Sequence, residues 1–214
     1  MLPFMKFSKS FTNVSFLRLK LAMAKAEYYD WKLGIEVKGG CDGVKQDISF
    51  YGDMQNYQAT FYGRLQKMVK YLKLTPDDVF VDLGCGKGRV VFFVATHRLK
   101  KAIGVELDKN LFTAAQKNFI NLKARRAFVE LFNTDAAKFD LGEANILYMF
   151  NPFGYKTLES VLRNLKKSLI DTPRKVRIVY YVPAHKDLLD SQDWLVREGK
   201  IENEVCLVWR NKLS

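Results

Sequence analysis

Apolar positions along the chain fall into two periods. Near the amino end, the stretch from Val14 to Tyr29 spaces Phe16, Leu17, Leu21 and Ala24 at helical intervals, with Arg18 and Lys25 elsewhere on the wheel. This predicts an amphipathic helix packed on the domain that follows. Phe61–Leu74 places Leu65, Met68, Val69 and Leu72 on one face, a second helix that Pro76 stops. From Val79 onward the period changes. Short β-rich runs at Val79–Leu83, Lys101–Glu106, Phe128–Phe132 and Ile146–Phe150 alternate with helical segments at Arg89–Thr96 and Lys109–Ala124 and a shorter link. A helix over Tyr155–Leu169, with a stripe of Leu158, Val161, Leu162, Leu165 and Leu169, precedes a fifth strand at Lys175–Val182. The stretch from Trp194 to Trp209 reads as two strands joined by a short link, an antiparallel pair. Such alternation predicts an α/β domain, a parallel sheet wrapped by helices and closed by that pair. A loop at Gly34–Lys45, with four glycines, belongs to a basic helical extension over 1–50, and the α/β domain occupies 51–214.

Length and charge narrow the class. The 214 residues suit one domain with a short extension, and 48% hydrophobic content argues against a disordered chain. The formal net charge is +12, and Met1–Ala26 holds five basic residues and no acidic ones. That balance points to an anionic partner for the basic amino terminus, nucleic acid or lipid head groups. The three cysteines, Cys41, Cys85 and Cys206, are far apart and match neither a disulfide framework nor a zinc spacing. A reducing cytoplasm is therefore expected, and no metal site. No stretch approaches the roughly 18 apolar residues of a membrane span. Lys6, Lys9, Arg18 and Lys20 interrupt anything resembling a signal-peptide core.

The chemistry concentrates after the strands. "VDLGCGKGR" puts Gly84, Gly86 and Gly88 behind the first strand, where a backbone can turn sharply and a ligand can approach closely. The spacing is neither the G-x-G-x-x-G of dinucleotide enzymes nor a P-loop, which would need Gly-Lys-Ser/Thr. Asp82, before the turn, repels a pyrophosphate and attracts a cationic ligand; Lys87 runs against that sign. Glu106, 24 positions on, ends the second strand and can accept both hydroxyls of a ribose. Asp135 follows the third strand and can accept from an adenine amino group. Three acids in order after three strands describe a ligand with an ammonium, a ribose and an adenine, and no phosphate. The pattern argues against a nicotinamide-dependent oxidoreductase.

"VDLGCGKGR", "GVE" and "TDA" resemble the binding motifs of class I S-adenosylmethionine-dependent methyltransferases, over roughly Tyr51–Trp209. The resemblance implies a Rossmann-like, doubly wound sheet of seven strands, mostly parallel with an antiparallel C-terminal strand and helices on both faces. It implies S-adenosylmethionine as cofactor, its amino-acid end near Asp82, Gly84 and Gly86 in the turn that Gly88 completes, its ribose on Glu106 and its adenine on Asp135. Asn151-Pro152-Phe153, ending the fourth strand, is similar to the N/D-P-P-Y/F motif of amino-group methyltransferases but lacks the second proline. In that motif an amide oxygen and a backbone carbonyl accept from the target amine beside an aromatic ring. Asn151 thus belongs to both the cofactor and the acceptor side. Tyr57 and Thr60, in "YGDMQNYQATFYGRL", resemble the cofactor-covering loop of non-SET histone lysine methyltransferases and of some mitochondrial-type lysine methyltransferases. The expected function is methyl transfer to an amine, a protein lysine or another nitrogen. A small-molecule or RNA acceptor, and a non-catalytic methyltransferase-like binding module, are the alternatives. His97 and His185 form no site by sequence, though His185 follows the fifth strand and is of general-base type. Tyr180, Tyr181 and Trp194 are expected in the core.

Overall fold

The β-branched and aromatic runs become strands in a computed structural model that describes residues 13–37 and 58–212, with side chains from Leu17 onward. They are β1 (Val79–Leu83), β2 (Lys101–Glu106), β3 (Phe128–Asn133), β4 (Ile146–Phe150), β5 (Arg177–Tyr181), β6 (Leu195–Ile201) and β7 (Cys206–Asn211). The helices are α1 (Asn13–Leu33), α2 (Tyr62–Leu72), α3 (Arg89–Ala95), α4 (Lys109–Ile120), α5 (Tyr155–Asp171) and the short α6 (Lys186–Asp190). One seven-stranded sheet runs β3-β2-β1-β4-β5-β7-β6, and only β7 is antiparallel to its neighbours. The expected α/β architecture is therefore present, including the terminal antiparallel pair. The chain winds from β1 to one side through β2 and β3, then returns to β4 on the other. This reversal makes the carboxyl ends of β1 and β4 a topological switch point, where open sheets bind ligands.

Strand alternation divides the core in two. Phe80, Ile146, Tyr148, Val179 and Tyr181 face α1, α2 and α3, while Val81, Leu147, Ile178 and Tyr180 face α5 and α6. Several element ends differ by a residue or more from the sequence expectation, and three show why. α2 stops at Leu72, well before Pro76, because Lys73 turns left-handed (φ 51°) and returns its N–H to Val69 O. α4 stops at Ile120 and not at Ala124, and the Lys123 N–H is held by Leu33 O at the end of α1. β5 stops at Tyr181 because Val182 takes a left-handed φ of 48°. The short α6 has no signal in the apolar pattern, which its five residues are too few to display.

α1 corrects a finer expectation. It packs on the domain, but Leu17, Leu21 and Ala24 are exposed, and the inward face is Ala26, Asp30 and Leu33. The reason is an ion pair. The Asp30 carboxylate accepts from Arg89 Nη2 at 2.6 Å, Arg89 Nε at 3.1 Å and the Tyr62 hydroxyl at 2.6 Å, and all three residues are buried. Arg89 also lies over the Tyr62 ring and donates to Thr60 O. Only one rotation of the helix points Asp30 at this guanidinium. α1 thus belongs physically to the core of the α/β domain, and the boundary placed at residue 50 falls outside the described residues.

Removing one member of a buried pair leaves the other charge uncompensated. Arg89→Ala is expected to lower the free energy of unfolding in urea by about 3–5 kcal/mol, with Asp30→Leu/Arg89→Leu recovering much of it. A loss for Arg89→Ala no larger than that of a surface substitution would show that the pair does not hold α1.

Candidate active site

The glycine turn is built from positions that only glycine serves well. Gly84, Gly86 and Gly88 have φ values of 80°, 55° and 86°, all in the left-handed region. A Cβ on Gly84 would lie 2.5 Å from Pro152 Cβ, so the turn after β1 and the Asn151-Pro152-Phe153 turn after β4 are in direct contact. The turn is also tied to β2: Gly84 N and Cys85 N both donate to Val105 O, at 2.8 and 3.0 Å. Gly86 N donates to Glu106 Oε2 at 2.7 Å.

Two acids lie buried here. Asp82 shares the α3 face of β1 with Phe80 and pairs in register with Gly104 of β2 and Tyr148 of β4. Glu106 accepts from Gly86 N and, through Oε1, from Asp108 N at 2.9 Å. Asp108 in turn caps α4 through Asn110 N and Leu111 N. Burial, and then the neighbouring Glu106, push the Asp82 carboxyl well above the ordinary carboxylic range. Burial also raises Glu106, partly offset by the N–H groups of Asp108 and Gly86. The Cys85 thiol beside them rises for the same reason, burial first and the two acids next. Asp82 therefore resists ionisation in the free protein. The refinement of the sequence reading is that its negative charge is favoured only once a cation compensates it.

A small cleft of about 90 Å³ opens at the switch point, where open α/β sheets bind ligands. Gly84, Glu106, Asp135, Pro152 and Phe153 meet on its wall, joined by Thr157 of α5. Asp135 is half-buried and accepts from Ala137 N through Oδ1 at 2.9 Å. Asp82, Gly86 and Gly88 support the wall without lining it. Gly88 begins α3, where a Cβ would strike the Phe92 ring. Thr60 is not brought to the cleft: it is buried, with its hydroxyl 2.8 Å from that of Tyr148. Tyr57 lies outside the described residues. A larger cavity, about 460 Å³, lies between Asp78, Asn145, Arg177 and Glu198 at the amino ends of the parallel strands. It has no glycine turn and sits at the end of the sheet that open α/β folds do not use for ligands.

Asn151 adopts a left-handed φ of 42°, a conformation asparagine tolerates better than most residues. Its Oδ1 accepts the Tyr180 hydroxyl at 2.9 Å. Tyr180 was expected in the core; it is buried, yet its hydroxyl reaches the acceptor turn. Burial pushes that hydroxyl up to about 12, so it stays protonated and donates. The register Met149↔Tyr180 on adjacent strands is the relation that places it, and pairing across strands is not visible in one sequence. Val182 and Asn151, at the carboxyl ends of neighbouring strands, both hold left-handed backbone, and for a β-branched valine this stores strain. His185 stands edge-on to Tyr155, with ring centroids 6.1 Å apart. His97, just beyond the end of α3, bonds Phe93 O of that helix and does not line the cleft.

Comparison with known proteins agrees with this geometry. The family described as "Histone methylation protein DOT1" matches residues 49–151. A "Histone-lysine N-methyltransferase, H3 lysine-79 specific" of Dictyostelium discoideum is 31% identical over 108 residues, 44% of this chain and 6% of that protein. A "Protein-lysine N-methyltransferase" of Saccharolobus islandicus is 30% identical over 87 residues, 40% of this chain and 53% of that protein. The chain thus spans about half the length, or much less, of these curated relatives. Among solved structures, an RNA methyltransferase from Salinibacter ruber in complex with S-adenosyl-L-homocysteine superposes with a TM-score of 0.53 at 22% identity, covering 72% of this chain and 92% of that one. The fold is that of class I S-adenosylmethionine-dependent methyltransferases, and the part of the sequence that holds the glycine turn is similar to lysine-methylating proteins.

The acids generate a prediction about stability. Because the folded-state value of Asp82 is raised, the stability it contributes is complete below the ordinary carboxyl range and is lost as pH rises through the raised value. Asp82→Asn in the ligand-free protein should flatten the fall of Tm between mildly acidic and neutral pH and raise Tm at neutral pH. An unchanged pH profile would show that Asp82 ionises freely in the folded chain.

Proposed function

We propose that this chain transfers the methyl group of S-adenosylmethionine to an amine, and that the acceptor is a lysine side chain of a protein. The observation that carries the reading is the contact of Gly84 with Pro152, which brings the glycine turn against Asn151-Pro152-Phe153. The residues present fit the cofactor: a glycine cradle a Cβ would fill, two buried carboxyls whose ionisation a cation would favour, and a half-buried aspartate on the same wall. Glu106 would hold the ribose hydroxyls, Asp135 the adenine amino group, and the turn from Gly84 to Gly88 the amino-acid end. When bound, the cofactor supplies an electrophilic sulfonium methyl. Ionised Asp82 and Glu106 favour its positive charges.

Asn151 works on the acceptor. Its amide oxygen takes one hydrogen bond from Tyr180, which fixes the amide plane and leaves a second lone pair for an incoming N–H. An amine held this way keeps its nitrogen lone pair free, which is catalysis by orientation. Phe153, buried on the cleft wall, provides the apolar surface that excludes water. The two lysine-methylating relatives support a protein acceptor. The basic amino-terminal segment belongs to the same proposal as the contact with an anionic partner. Cys85 and Cys206, both free and buried, support a reducing cytoplasm.

Labelled methyl groups from S-adenosylmethionine, chased into a whole-cell extract with the purified protein, should appear in protein and be recovered as methyl-lysine. Label confined to RNA or small molecules would overturn the acceptor assignment. In calorimetry, Glu106→Ala should weaken S-adenosylmethionine by about 1–3 kcal/mol, the scale of hydroxyls left without an acceptor. Unchanged affinity in a folded variant would remove Glu106 from the site. Once the acceptor is known, Asn151→Ala should keep cofactor affinity within a few-fold and lower single-turnover rates by roughly 10–1,000-fold. Tyr180→Phe should fall between Asn151→Ala and the parent, and full turnover in both variants would place the acceptor elsewhere.

A further inference from the structure

α1 has two apolar faces, and the fold uses one. Ala26, Asp30 and Leu33 face the domain. On the opposite side Leu17, Leu21, Ala24, Tyr28 and Trp31 recur at alternating steps of four and three, one continuous stripe along the helix, and all are exposed. Trp31 is 68% and Leu21 61% exposed, unusual for side chains of this kind held on an ordered helix. The stripe has charged edges. Arg18, Lys25 and Lys32 line one, spaced seven apart, and Lys20 and Glu27 lie along the other. The Lys123 ammonium stands over the Trp31 ring, 5.3 Å from its centroid, and adds to the basic edge.

We propose that this outer face of α1 docks in the plane of an anionic lipid bilayer. The inference deepens the reading of the basic segment as an anionic contact and does not depend on the methyl-transfer chemistry. Leucines, a tyrosine and a tryptophan stand beside a row of arginine and lysine, apolar side chains for the acyl boundary next to cations for acidic head groups. No helix among the described residues is long and apolar enough to cross a membrane, so the contact is with the surface. Charge selects this occupant over the others. A second copy of the helix in parallel would offset Glu27 against Lys32 with Lys20 against Lys25, and in antiparallel would set the row of Arg18, Lys25 and Lys32 against itself, with only Lys20 and Glu27 attracting. A nucleic acid would satisfy the basic edges and leave the leucines without a partner. A bilayer bearing acidic head groups satisfies both. The preceding twelve residues continue the composition, with Leu2, Phe4, Met5, Phe7 and Phe11 beside Lys6 and Lys9 and no acid.

The test is flotation of the full chain with vesicles of phosphatidylcholine alone and of phosphatidylcholine with phosphatidylglycerol. The protein should float with the anionic vesicles only, and release as salt rises. Leu21→Glu and Trp31→Glu should each reduce the bound fraction about tenfold or more, and so should Arg18→Gln with Lys32→Gln. All these side chains are exposed, so far-ultraviolet circular dichroism and S-adenosylmethionine affinity should be unchanged. Failure to float, equal flotation with neutral vesicles, or full flotation by Leu21→Glu and Trp31→Glu would overturn the proposal. So would a dimer in sedimentation, or RNA capture without vesicle binding, that these variants abolish. Absence of S-adenosylmethionine binding alongside intact flotation would instead reject the proposed function.

Discussion

Two buried carboxyl groups share the space under the glycine turn, and the site follows from how the fold tolerates them. Asp82, one residue before the end of β1, is in register with Gly104. Glu106 ends β2 two residues further on the same face, so the sheet brings both acids to one side of the turn. Burial raises both, with Glu106 adding to the rise at Asp82 and Asp108 to the rise at Glu106. The fold offsets part of this cost at Glu106 with two backbone N–H groups, one from the turn after β1 and one from the start of α4. Those hydrogen bonds make Glu106 a strut between two loops. At Asp82, burial still leaves the free protein a poorly satisfied state for negative charge. A ligand that brings positive charge and hydroxyl donors relieves the very strain that the strand ends impose.

The glycine turn carries that constraint outward. Gly84 can approach Pro152 because it has no Cβ, and this contact sets the distance between the cofactor wall and the acceptor turn. Asn151 then holds a left-handed backbone and is steadied by Tyr180 from the next strand. On the other flank, Arg89 begins α3 just after the turn and binds Asp30 of α1. The amino-terminal helix is thereby fixed to the helix that the glycine turn launches.

Much of this was legible in the sequence, for identifiable reasons. The strands announced themselves because a buried parallel strand is a short apolar run between breakers, and three acids at successive strand ends recorded the order of the sheet. Gly84, Glu106, Asp135, Pro152 and Phe153 do meet in one cleft. What stayed hidden depends on pairing across space. The inward face of α1 could not be chosen from periodicity, since both sides are apolar and the choice is made by Asp30 finding Arg89. Tyr180 read as core because its hydroxyl bond to Asn151 joins residues on different strands. Thr60 read as a cofactor contact from its local motif, but its hydroxyl is turned to Tyr148. The burial that raises Asp82 is set by its neighbours on β2 and β4, which one sequence does not display.

The most direct test of this account is amide hydrogen exchange of the full chain with and without S-adenosylhomocysteine. The account predicts strong added protection in two places: the turn from Gly84 to Gly88, and the segment from Glu106 to Asp108, with weaker protection near Asp135. Protection confined to the amino ends of the strands, around Asp78, Asn145 and Arg177, or none at the glycine turn, would contradict it.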